Sequence, residues 1–66
     1  MITVKQARVG ADLTQQQTAD ALGVHVQTYA RMEKHPEDMT MKEAHAFAEI
    51  VNVPIESISF LPLNSN

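Results

Sequence analysis

The sequence predicts an all-α domain of five short helices, and three observations carry that expectation. Thr14 to Gln17 and Thr40 to Glu43 both have the Thr-x-x-Gln/Glu spacing of a capping box, in which two side chains satisfy backbone N–H groups that a helix start leaves unpaired. Apolar residues recur at helical spacing through most of the chain. Between two such patterns lies "LGVH", a break of about four residues, and helices joined so tightly usually cross at a steep angle.

The first helix is expected over about Val4 to Ala11, with Val4, Ala7, Arg8 and Ala11 on one face and Gly10 fraying its end. The second occupies "LTQQQTADALG", opened by the Thr14–Gln17 box and stopped by Gly23, which permits a left-handed turn. Its inward residues are Thr18, Ala19 and Leu22; Gln15, Gln16 and Asp20 point outward. The third runs from near Val26 to about Lys34 and buries Tyr29 and Met32, leaving Gln27, Thr28, Ala30, Arg31 and Lys34 on or near the open side. It closes at His35-Pro36, because the residue before proline is disfavoured in the α region. "PEDM" reads as a loop. The Thr40–Glu43 box starts a fourth helix through about Asn52, with Ala44, Phe47, Ala48 and Val51 inward. Pro54 suits the first turn of a fifth helix to about Ser59, with Ile55 and Ile58 packing back. Residues 1–59 then form one domain, followed by the tail "FLPLNSN".

Bulk properties narrow the function classes. A chain of 66 residues makes one small domain with a thin stability margin. No apolar run approaches the roughly 20 residues of a membrane-spanning helix, and "MITVKQARVG" lacks the apolar core of a secretory signal. The absence of cysteine excludes disulfides and agrees with a reducing compartment, so the cytoplasm is expected. Five Lys and Arg face eight Asp and Glu, a net charge of −3, whereas nucleic-acid-binding domains normally carry a basic patch. The cations are Lys5, Arg8, Arg31, Lys34 and Lys42, so any DNA-facing patch is small.

The succession "LTQQQTADALGV", "TYARMEK" and "TMKEAHAFAEIVNVPIESI" resembles the Cro/C1-type helix-turn-helix family, which includes many phage repressors, over roughly residues 4 to 59. The physical reasons fit: Ala19 is small where two helices touch, Gly23 allows the positive φ of the turn, and Val24 and Tyr29 fill the space beneath. The resemblance implies a compact five-helix repressor-like fold in which Arg8 pairs with Glu33. It further implies that Gln15 holds a phosphate with help from main-chain N–H groups, while Val26, Gln27, Thr28 and Arg31 approach base edges. Lys5, Arg31, Lys34 and Lys42 remain for phosphates. The chain departs from the family at His25, where Ser or Thr is commoner, at Val26, often polar in DNA readers, and at Thr18, usually a large aliphatic.

Two roles in transcriptional control follow. In one, a Cro-like dimer binds operator DNA; in the other, the acidic chain binds a partner repressor as antirepressor or corepressor, a role suggested by a fainter resemblance to small temperate-phage modulators of repression. Gln15, Gln16, Val26, Gln27, Thr28, Arg31 and Lys34 are the expected contact residues in either case. Phe60, Leu61 and Leu63 either fold back on the core or form a dimer or partner contact. His25, His35 and His45 read as surface residues rather than metal ligands, and Met32, Met39 and Met41 as core and loop filling rather than an adaptable binding patch. No phosphate-cradling glycine loop and no nucleophile with a placed base supports catalysis, and neither cofactor, metal nor small-molecule substrate is expected.

Overall fold

Among the described residues the four α-helices are all short, and each is defined by its ends. The computed structural model describes residues 1–63. In chain order these are β1 (Ile2–Thr3), α1 (Val4–Gly10), α2 (Gln15–Leu22), α3 (Val26–Lys34), α4 (Met41–Val51) and β2 (Ile58–Ser59), with single 3-10 turns at Pro36–Asp38 and Ile55–Ser57. Isolated helices of this length are marginal in water. Capping boxes at Thr14–Gln17 and Thr40–Glu43 open α2 and α4, and a third, Thr3–Gln6, opens α1.

Three helix exits share one geometry as well. Asp12, Gly23 and Asn52 adopt left-handed backbone (φ 60°, 74° and 57°). The next N–H reaches back five residues: Leu13 donates to the Arg8 carbonyl at 3.2 Å, Val24 to Ala19 at 3.0 Å, and Val53 to Ala48 at 3.1 Å. Such turns satisfy carbonyls that the last helical turn leaves unpaired. The expected fraying of α1 at Gly10 is thus replaced by an ordered exit whose left-handed residue is Asp12.

The expected fifth helix is corrected. Pro54 is extended (φ −56°, ψ 136°), and only Ile55–Ser57 makes a 3-10 turn before the chain straightens into β2. Ile58 and Ser59 pair in parallel with Ile2 and Thr3, so the fold is mostly helical with a two-stranded clasp rather than all-α. A six-residue segment gains few intrahelical hydrogen bonds, whereas the partner strand satisfies its backbone and leaves Ile58 2% exposed. Within "PEDM", Pro36–Asp38 is likewise a 3-10 turn on a buried Pro36.

The core joins all these elements. Val4, Ala7, Ala19, Tyr29, Met32, Phe47, Ala48, Val51 and Ile58 form one buried cluster, with Leu22, Val24, Ile55 and Phe60 packed against it. Tyr29 and Phe47 stack at its centre, ring centroids 6.3 Å apart. Ala19 is fully buried, as its small size anticipates, and Thr18 is buried beside it. The Thr18 hydroxyl donates to the Thr14 carbonyl at 2.9 Å, so a polar side chain sits in the core without an unpaired group.

Phe47 is fully buried at the centre of this cluster. Its replacement by Ala is expected to cost about 3–5 kcal/mol, and Thr40→Ala, which removes one capping hydrogen bond at the surface, about 1 kcal/mol. Urea unfolding of the two variants checks both values.

Candidate nucleic-acid interface

The open face of α3 is built by what lies behind it. Tyr29, Met32 and Glu33 are buried, which turns Gln27, Thr28, Arg31 and Lys34 outward as exposed side chains. Gln27, Ala30, Arg31, Lys34 and His35 line one shallow depression. On the other side of Arg31, a second depression is lined by Thr28, Met32, His35, Asp38 and Glu43. Arg31 therefore stands between a cationic neighbour, Lys34, and two carboxylates. Lys42 lies on the first turn of α4, exposed, and lines neither depression.

His25 caps α3 in place of the usual hydroxyl. Its Nδ1 accepts from the Gln27 N–H at 3.2 Å, an arrangement that requires the neutral ring protonated at Nε2. Val26, expected at base edges, is only partly exposed and packs against the core, so it offers less free surface than Gln27 or Thr28.

The buried Glu33 carboxylate fixes α3 to its support. Glu33 Oε2 accepts from Arg8 Nε and, at 2.7 Å, from the Tyr29 hydroxyl; Oε1 accepts from Gln15 Nε2 at 2.9 Å. Arg8 also donates through Nη1 to the Leu13 carbonyl at 2.7 Å. With the Glu33 side chain 6% exposed, burial pushes its pKa up, but the hydrogen bonds from Arg8, Tyr29 and Gln15 and the charge of Arg8 outweigh burial and hold it below the ordinary value. Burial first, then the hydrogen bond to Glu33 and its charge, push the Tyr29 phenol well above its usual range, so it remains a donor.

Gln15 is less exposed than expected. It is half-buried at the start of α2 with one amide N–H committed to Glu33, while Gln16 is exposed and donates to Asp20 Oδ1 at 2.9 Å. Sequence reasoning also missed that the Tyr29 hydroxyl belongs to the Glu33 network; their i, i+4 spacing was the available signal. The expected tail contacts divide: Phe60 packs on the core, whereas Leu61 and Leu63 are 69% and 49% exposed. Residues 64–66 of the tail lie outside the described residues.

A helix-turn-helix family model matches residues 4–58, and the chain belongs to the Cro/C1-type helix-turn-helix family, a family of DNA-binding regulatory domains rather than of enzymes. No curated protein and no solved structure matches the chain significantly. Among the described residues, no helix is long and apolar enough to cross a membrane, and no three His, Cys, Asp or Glu side chains group as a metal site.

Glu33→Ala leaves the Arg8 guanidinium buried without its carboxylate and is expected to cost about 3–5 kcal/mol in urea unfolding. Because the folded-state pKa of Glu33 lies below its unfolded value, its stabilisation is present above the unfolded pKa and is lost as pH falls through the folded value. Acid titration followed by circular dichroism is expected to show a shallower loss of stability in Glu33→Gln than in the wild type.

Proposed function

We propose that the chain is a transcription regulator of phage-repressor type that binds operator DNA as a dimer, with α3 in the major groove. The observation that supports this reading is the exposed row Gln27, Thr28, Arg31 and Lys34, held outward by the buried Tyr29, Met32 and Glu33 behind it. Gln27 has the paired donor and acceptor that adenine's major-groove edge requires, the Thr28 methyl suits a thymine methyl, and Arg31 can donate twice to guanine. Val26 lies at the margin of this contact. Lys34 and Gln15, with Lys5, meet the phosphates, and Gln16 stands beside Gln15 on the first turn of α2. Two copies reading half-sites about 34 Å apart would give a palindromic operator.

The charge distribution favours a second reading. With a net charge of −3, and with Asp38 and Glu43 sharing a depression with Thr28 and Arg31, the same face also suits a basic surface on another regulator. In that role the chain acts as antirepressor or corepressor in a lysis-lysogeny switch, working in the cytoplasm through a partner repressor.

Fluorescence anisotropy of the DNA immediately upstream of the chain's own gene separates the two readings. Under the first, the protein alone binds saturably, Arg31→Ala weakens that binding about tenfold or more, and Lys34→Ala lowers the log–log salt slope by about 0.9. Absence of binding by the protein alone, together with an altered complex when the neighbouring repressor is added, sinks the first reading and supports the second.

A further inference from the structure

Leu63 occupies an unexpected place. The segment from Ser57 onward, "SISFLPLNSN", contains no charged side chain; Phe60 packs against the core, whereas Leu61 and Leu63 do not. Leu63 nevertheless lines a cleft with Thr3, Lys5, Gln15, Ala30, Glu33 and Lys34. Three elements converge there: Lys5 comes from α1, Gln15 is the first residue of α2, and Lys34 is the last of α3.

The polar groups of this cleft are suited to an anion. Glu33 is matched by the guanidinium of Arg8, so the two ammonium groups are not cancelled by it. One Gln15 N–H is committed to Glu33, and the second remains available as a donor. An isobutyl group satisfies none of these groups, and Leu63, as one wall of the cleft, narrows the space through which a phosphate would reach them.

We propose that Leu63 acts as a strap that competes with the DNA backbone for the cleft between Lys5, Gln15 and Lys34. This inference rests on the DNA-binding reading of α3. The strap's hold is weak, because Leu63 is 49% exposed and gains only part of the transfer free energy of a buried leucine. It therefore lowers DNA affinity several-fold rather than abolishing it. Leu61, 69% exposed and not among the residues lining the cleft, serves as the internal control.

The test compares the full chain with a version ending at Phe60 and with Leu63→Ser and Leu61→Ser. Each is titrated at low salt into the duplex upstream of its own gene and into an unrelated duplex of equal length. Thermal melts accompany each titration to establish that the variants fold. The expected result is about three- to tenfold tighter binding to both duplexes by the truncated chain and by Leu63→Ser, with Leu61→Ser unchanged. Equal or weaker binding by folded truncated and Leu63→Ser proteins overturns the strap while leaving DNA binding intact. No binding by any version to either duplex overturns the DNA reading and the strap with it.

Discussion

The rest of the structure depends on the carboxylate of Glu33. It is buried near the end of α3 and accepts from Arg8 on α1, Gln15 on α2 and Tyr29 one turn earlier on α3. A charge in this position is costly unless every lone pair finds a donor, and here the donors come from three helices. Compared with apolar packing, a buried ion pair adds little net stability, although losing one partner is expensive. Its main consequence is geometric: the three helices satisfy Glu33 together only in one relative placement. That placement turns Gln27 and Arg31 outward and brings Gln15 beside the end of α3.

Short helices make this constraint necessary. Helices of seven to eleven residues have little independent stability, so their ends and mutual contacts define them. Much of this was legible in the sequence. The Thr14 and Thr40 boxes, Gly23 and the inward residues of α4 are local signals, and each lies where its spacing requires. Thr3–Gln6 carries the same Thr-x-x-Gln signature, but it sits at the third residue, before any periodic pattern has begun. The β1–β2 clasp was beyond local reading, because a two-residue strand has no period to detect and its partner lies at the opposite end of the chain.

The candidate interface divides in the same way. The outward row on α3 follows from the helical period once Tyr29 and Met32 are placed inside, so Gln27, Thr28, Arg31 and Lys34 were legible as a surface. Gln15 was not, since its half-buried position depends on a hydrogen bond across helices to Glu33. The partial burial of Val26 was hidden for a related reason: at the first turn of α3 it lies on the boundary between the buried and open faces, where spacing alone does not choose. The position of Leu63 depends on the path the chain takes after the clasp, and no local pattern encodes that path.

The small number of cations bears on what kind of reader such a face would be. Arg8 is committed to Glu33, and Lys42 lies apart from the depressions of α3, which leaves Lys5, Arg31 and Lys34 near the proposed contact. Non-specific affinity for DNA grows with each phosphate neutralised, so three cations on an acidic chain give a weak hold on arbitrary sequence. Weak background binding is an advantage for discrimination, because competing sites retain little of the protein. It also means that, on the proposed reading, one copy would gain most of its affinity from a few base contacts. On the proposed dimeric reading, a second copy on an adjoining half-site would double those contacts, and the acidic remainder of each surface would disfavour contacts beyond the operator.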